Sequence, residues 1–124
     1  MQTLLFELVL AIALVLLPSC GSNHTTCTFT PGIAPSNGQA DHAASPPKNQ
    51  VQFSVVAPST GDCPLIVGQV GSWSTSDPVN TTISNESPTE GLATCLNATP
   101  SPVTIANDGQ VLGHSIASAN LTCN

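Results

Sequence analysis

The chain has 124 residues, enough for one ordinary domain and too few for two. Charged side chains make up only 6% of it, and Lys48 is its single Lys or Arg, so the net charge of −6 reflects missing cations rather than acidic runs. Binding to nucleic acid or to an anionic membrane surface requires cationic side chains near the phosphates. We therefore expect no nucleic-acid partner.

Residues 1–19 have the pattern of an export signal. The uninterrupted apolar run Leu8–Leu17 is too short to span a hydrocarbon core of about 30 Å, but it suits the central part of a signal peptide. The segment ends in Leu17-Pro18-Ser19-Cys20-Gly21, which resembles the lipobox of bacterial lipoproteins. The resemblance implies that Cys20 receives diacylglycerol, becomes the first residue of the mature protein and anchors it to the membrane.

An ordinary secretory peptide, cleaved near Gly21 or Ser22, is the alternative, because Pro18 and the uncharged start of the chain depart from the lipoprotein pattern. The number of cysteines favours the lipoprotein. If Cys20 carries the lipid, four of the 5 cysteines remain, an even number that can pair as disulfides, and disulfides persist in exported chains. Residues 20–26 are predicted to be a tether, since their small polar side chains gain little from burial.

From Asn49 onwards the chain predicts short β-strands. Val51, Phe53 and Val55 alternate with polar residues, which is the period of a strand with one buried face. A second strand is predicted over 65–73. It contains the only Trp, and we expect Trp73 and Phe53 to fill the core between two sheets.

The rest of the chain continues this rhythm without any helical pattern after the signal segment. Strands are predicted over 80–83, 91–99, 102–106 and 114–123, with a hairpin turn at 107–109 between the last two. Before Asn49, the segment 27–31 is predicted as a short edge strand and 38–47 as a loop. We therefore predict one all-β domain over 27–124, an immunoglobulin-like β-sandwich of about seven short antiparallel strands.

Four stretches give the chain a family resemblance over about residues 25–124. They are Asn49-Gln50-Val51-Gln52-Phe53-Ser54, Gly71-Ser72-Trp73-Ser74-Thr75-Ser76-Asp77-Pro78, Gly91-Leu92-Ala93-Thr94 with Val103-Thr104-Ile105, and Ala119-Asn120-Leu121-Thr122. With them the chain resembles the bacterial immunoglobulin-like domains of the group 2 type. The resemblance implies a structural, adhesive or protein- or glycan-binding module at the cell surface or outer membrane, and it carries no catalytic residue.

Four cysteines besides Cys20 allow three pairings. Cys27 opens the first strand and Cys63 follows the second, so alternating strand directions place both at one end of the sandwich. Cys95 lies in the fifth strand, and Cys123 ends the seventh, which runs the same way. We expect the bridges Cys27–Cys63 and Cys95–Cys123. The leucines around Cys95 lie on its opposite face, which leaves open whether Cys95 points inward.

No reaction centre is recognisable, and we expect neither an enzyme nor a bound cofactor or metal. His24, His42 and His114 are interpreted as solvated loop residues, because no motif places a nucleophile and a carboxylate beside them. The cysteine spacing does not match a zinc motif. The carboxylates stand singly in separate loops, which does not suit a calcium site.

Two alternatives remain. The first is an exported small-ligand carrier or enzyme on a β-sandwich, which a pocket lined by His114, Asp108 or Glu90 would support. The second is a eukaryotic secreted glycoprotein, because N-x-S/T sequons occur at Asn23, Asn80, Asn85, Asn97 and Asn120. In a bacterial lipoprotein these sequons are chance products of a composition rich in Asn and Thr.

Overall fold

The computed structural model describes residues 25–63, 68–69 and 71–124. Within these ranges the chain is all-β and contains no helix. Its strands are β1 (Thr28–Phe29), β2 (Gly32–Ala34), β3 (Asn37–Ala40), β4 (Gln50–Gln52), β5 (Ser54–Val56), β6 (Ser59–Thr60), β7 (Gly68–Gln69), β8 (Trp73–Thr75), β9 (Thr81–Ile83), β10 (Leu92–Cys95), β11 (Val103–Asn107), β12 (Gln110–Val111), β13 (His114–Ser115) and β14 (Ala119–Cys123).

The strands form the two layers of a β-sandwich, which confirms the predicted fold class. One layer has the order β4-β10-β9 and is extended by the pair β2-β5. The other has the order β3-β14-β11-β8 and is extended by β13-β12-β7. Several predicted strands are interrupted: β4 and β5 are separated only by Phe53, and the predicted strand 114–123 is divided into β13 and β14. These breaks explain why the described strands outnumber the predicted ones.

Strand β3 lies within and just before the segment 38–47, which the sequence predicts to be a loop, and that prediction was wrong for 38–40. It pairs in parallel with β14, from Asn37 beside Asn120 to Ala40 beside Cys123. Every other described pair is antiparallel. Gly38 is buried, and a Cβ there would lie 2.8 Å from Val51 Cγ1, so the missing side chain lets the strand approach β4. A parallel partner so distant in sequence leaves no local pattern.

The core lies between the two layers. Phe53 is 1% exposed and Trp73 is 6% exposed, and both lie in it. Along β11 and β14, buried residues alternate with exposed or half-buried ones, as expected for strands with one face in the core. Other buried members of the core are Ile33, Ala40, Ala93, Cys95, Val103, Ile105, Ala119, Leu121 and Cys123.

Disulfides join Cys27 to Cys63 and Cys95 to Cys123. This is the pairing that the strand directions predict. Cys95 and Cys123 are each 1% exposed, so the second bridge crosses the core from β10 to β14. Cys95 therefore points inward, and the neighbouring leucines occupy the outer face, where Leu96 is 48% exposed.

The hairpin turn lies later than the sequence predicts. The chain reverses between β12 and β13 at Leu112 and Gly113, whose φ angles of 48° and 80° are both positive. Two consecutive positive φ angles are typical of a type I′ hairpin, in which Asn-Gly or Asp-Gly is the usual pair. Leu is a rare residue in this conformation, so the sequence offered no signal here, whereas the Asp-Gly pair at 108–109 only interrupts the run from β11 to β12.

The connection from β8 to β9 is organised around Asp77. The Asn80 side-chain amide donates to Asp77 Oδ2 (2.7 Å), the Asn80 N–H donates to Asp77 Oδ1 (3.2 Å), and the Thr81 N–H donates to the Asp77 carbonyl (3.0 Å). The hydrogen bond from the Asn80 side chain is the main reason why the pKa of Asp77 lies below its ordinary value of 3.8; desolvation opposes it, and the backbone N–H groups of Asn80 and Val79 reinforce it.

We expect part of the stability to be lost in acid through this carboxyl. A pKa that folding lowers contributes stability that is present above the unfolded value, here 3.8, and is lost as the pH falls through the folded-state pKa. Asp77→Asn should remove this part of the pH dependence. Urea midpoints measured from neutral pH to strong acid would show it, with Glu86→Gln in the next turn as the control. Parallel curves for wild type and Asp77→Asn would contradict the prediction.

Candidate functional site

A pocket of about 360 Å³ lies at one edge of the sandwich, where β8 and β9 end their respective sheets. We call it the edge pocket. Its lining consists of Gly71, Ser72, Trp73, Asn85, Glu90 and Asp108. Except for the indole of Trp73, these residues present polar side chains or backbone. The pocket therefore offers hydrogen-bonding groups rather than an apolar surface.

One wall is built by Asn85, from the turn that follows β9. Its Oδ1 accepts a hydrogen bond from the Trp73 N–H (2.6 Å), and its Nδ2 donates to the Trp73 carbonyl (3.1 Å). Asn85 thus takes the place of a neighbouring strand. Since β8 is an edge strand, these backbone groups would otherwise face solvent and be open to pairing with another chain.

The opposite wall is built by the interruption between β11 and β12. Asn107 is 5% exposed; its Oδ1 accepts from the Gly71 N–H (2.9 Å) and its Nδ2 donates to the Gly71 carbonyl (3.0 Å). The adjacent Asp108 accepts a hydrogen bond from the Ser72 N–H through Oδ1. A Cβ at Gly71 would collide with that same Oδ1, so close approach of the two segments requires glycine at this position.

Two carboxylates, Glu90 and Asp108, give the edge pocket its charge. Lys48, the chain's single Lys or Arg, belongs to the loop between β3 and β4 and is not among the residues that line the pocket. The arrangement can bind a hydroxylated or cationic group by accepting its hydrogen bonds. The edge pocket thus brings together Glu90 and Asp108, two of the three residues that the sequence suggested as the lining of a pocket.

The third of those residues, His114, lies elsewhere. Its ring packs edge-to-face on Phe29, with the ring centroids 5.1 Å apart. His42 is hydrogen-bonded through Nδ1 to the Asn124 carbonyl, and His24 lies outside the described residues. Within the described part of the chain, no group of three or more His, Cys, Asp and Glu side chains could hold a metal ion.

The sequon asparagines differ in what their amides do. Asn80 and Asn85 donate through Nδ2 to Asp77 and to the Trp73 carbonyl, and Asn120 donates to Asn37 (3.2 Å). Asn97 is exposed, and Asn23 lies outside the described residues. The roles of Asn85 and Asn107 were not found by sequence reasoning, because their partners lie 12 and 36 residues away along the chain.

We expect Asn85→Ala to lower the free energy of unfolding by about 1–2 kcal/mol, because it leaves the edge N–H and carbonyl of Trp73 without their partners. Asn85→Asp is the matched variant: it keeps an acceptor for the N–H but removes the donor for the carbonyl. Urea unfolding should rank the proteins wild type, Asn85→Asp, Asn85→Ala. Equal midpoints for all three would show that water replaces the Asn85 side chain at no cost.

The predicted signal peptide, the lipidation candidate Cys20 and most of the predicted tether lie outside the described residues. Among the residues that are described, no helix has the length and apolar character needed to cross a membrane. A scan against protein-family models finds no match to this sequence, and a search of curated proteins finds no significant match.

Proposed function

We propose that this chain is a lipid-anchored protein of the bacterial cell envelope, at the outer membrane or cell surface. In this proposal its body is an immunoglobulin-like domain of the group 2 type, with a structural, adhesive or protein- or glycan-binding role and no catalytic activity. Cys20 is the proposed lipid carrier, and Cys27, Cys63, Cys95 and Cys123 form the disulfides that suit an exported chain.

The observation that carries the proposal is the order of the strands. Apart from β3, which adds in parallel to β14 at one edge, the interrupted segments can be joined into seven composite strands: β1–β2, β4–β6, β7–β8, β9, β10, β11–β12 and β13–β14. Numbered in chain order, one layer then has the order 1-2-5-4 and the other contains 3-6-7. The seven composite strands have the arrangement of immunoglobulin constant-type sandwiches, and β3 is an addition to it. Sandwiches of this kind commonly serve as binding or spacer modules, so the fold supports the proposed role.

The two ends of the domain support a spacer role. The Phe29–His114 ring contact places β1 beside the turn that joins β12 to β13. At the other end, Asn124 exchanges hydrogen bonds with the backbone of Ala40 and His42. Composite strand 7 runs between these ends over ten residues, or roughly 30 Å at about 3.3 Å per residue. A lipid at Cys20 would therefore place the turn end towards the membrane and the other end away from it.

A small-ligand carrier is a second candidate, and the edge pocket favours it because Glu90 and Asp108 both line the pocket. Such a carrier would bind a hydroxylated or amine-bearing molecule. Calorimetric titration of wild type and Glu90→Gln with a set of sugars and amines would test this candidate. Glu86→Gln, a carboxylate of the same turn that does not line the pocket, is the control.

Intact mass and membrane fractionation of the full chain expressed in a bacterium test the main proposal. We expect a mature protein that begins at Cys20, carries a diacylglyceryl group and four oxidised thiols, and sediments with membranes. Cys20→Ala should move the protein to the soluble fraction, whereas Ser22→Ala should not. A mature N-terminus at Gly21 or Ser22 would contradict the lipid anchor, and a glycan mass on protein made in eukaryotic cells would favour the secreted glycoprotein.

A further inference from the structure

The segment around β1 is attached to the sandwich at few points. Among the strands that the structure describes, β1 and β6 pair only with each other and form a separate two-stranded sheet. No residue of either strand belongs to the buried core. Besides the ladder, the attachments among the described residues include a hydroxyl hydrogen bond between Thr28 and Thr60 (2.7 Å), the bonds between Thr25 and Asp62, the hydrogen bond from the Thr30 N–H to the Pro58 carbonyl (3.1 Å), and the ring contact of Phe29. The Cys27–Cys63 bridge is the covalent attachment.

The two disulfides differ in their accessibility. Cys27 and Cys63 are half-buried, whereas Cys95 and Cys123 are each 1% exposed and lie between the layers. Thiol–disulfide exchange requires a thiolate to reach a sulfur, so accessibility controls its rate. The sequence separations of 36 and 28 residues are similar, so the length of the closed loop does not separate the bridges.

We propose that Cys27–Cys63 is a redox-sensitive clip, which a dithiol reductant opens while the sandwich stays folded. A thiolate of the reductant attacks one sulfur of the bridge, forms a mixed disulfide and releases the other cysteine as a thiolate. The second thiol of the reductant then attacks the mixed disulfide. Both cysteines end as thiols after gaining two electrons and two protons, and the reductant ends as its own disulfide.

Opening the clip releases residues 25–30 from the body, whereas Pro31 stays held because it is buried and its carbonyl accepts a hydrogen bond from the Ala117 N–H (3.1 Å). The first firmly fixed residue then changes from the disulfide-bonded Cys27 to Pro31, which lengthens the free segment by 31 − 27 = 4 residues, or roughly 14 Å when extended. In a lipid-anchored protein this change lengthens the tether between membrane and domain. That consequence rests on the proposed function, whereas the clip itself does not.

Native-state reduction of the full chain tests the clip. The protein is incubated with dithiothreitol without denaturant, alkylated at intervals and mapped by mass spectrometry, which also identifies Cys20 separately. We expect Cys27 and Cys63 to be alkylated at least tenfold faster than Cys95 and Cys123, with the Trp73 fluorescence unchanged. Labelling of all four cysteines at one rate, or a loss of the Trp73 signal in step with labelling of Cys27, would overturn the proposal.

A variant provides an independent readout. In Cys27→Ser/Cys63→Ser we expect the Thr30 amide, which donates to the Pro58 carbonyl, to exchange at least tenfold faster than in wild type. The Cys95 amide, which donates to the Asn49 carbonyl, should exchange as before. Unchanged protection at Thr30 would overturn the clip. Neither experiment depends on a lipid, so a soluble protein without diacylglycerol would end the proposed anchor and leave the clip intact.

Discussion

Replacing Cys95 and Cys123 together by Ala is expected to lower the free energy of unfolding by about 4 kcal/mol. A bridge that closes a loop of this length restricts the unfolded chain by about that amount in the chain-entropy model. Both sulfurs are buried, so no solvent replaces them and the small cavity that remains adds to the loss. For a domain of this size, such a loss corresponds to a melting temperature roughly 20 °C lower.

Thermal and urea unfolding of the oxidised proteins measure this effect, and Cys27→Ala/Cys63→Ala is the matched control. The control removes a bridge that closes a loop of similar length. We expect it to lose less free energy of unfolding, because its native state regains conformational freedom when the β1 segment detaches. If the control lost as much stability as Cys95→Ala/Cys123→Ala, the β1 segment would be part of the cooperative core. That outcome would contradict the inference that Cys27–Cys63 can open while the sandwich stays folded.

Gly91→Ala is expected to lower the free energy of unfolding by about 3 kcal/mol or more, from two causes. Gly91 has a φ of 76°, where an L-residue costs about 1–2 kcal/mol. It is also buried: a Cβ there would collide with the Phe53 carbonyl oxygen and lie 3.1 Å from Trp73 Cζ2. Accommodating it requires movement of the Phe53 backbone or of the indole, and overpacking of a core typically costs about 1–3 kcal/mol.

Gly113→Ala separates the two causes. Gly113 has a similar φ of 80°, but a Cβ there would meet nothing within 4 Å. Its expected loss is about 1 kcal/mol, because the backbone cost is partly offset by the lower entropy of the unfolded chain. Urea unfolding of both variants, with near-UV circular dichroism to report on Trp73, checks the prediction. Equal losses would show that the core yields to the added methyl group without cost.

The edge pocket shows how far a sequence can identify a site in this protein. Asp108 and Glu90 were recognisable as carboxylates that a pocket could use, because isolated acidic residues stand out in a chain with so few charges. Asn85 and Asn107, which build the walls, did not stand out from the many other asparagines. Their role depends on backbone groups of Trp73 and Gly71, and an edge strand's unpaired groups are visible only once its neighbours are known.

The sequence by itself determined the all-β class, the burial of Phe53 and Trp73, and the strand directions from which the disulfide pairing follows. These properties arise from period-2 alternation and from turn residues, which act over a few neighbouring positions. Only the tertiary structure decided the parallel pairing of β3 with β14, the hairpin at Leu112 and Gly113, and the unequal burial of the two bridges. The parallel pairing and the unequal burial depend on contacts between segments distant along the chain, where packing and hydrogen bonding across the sandwich outweigh local preference. The hairpin is local, but it places Leu112 at a positive φ that leucine rarely adopts, so the residue types did not indicate it.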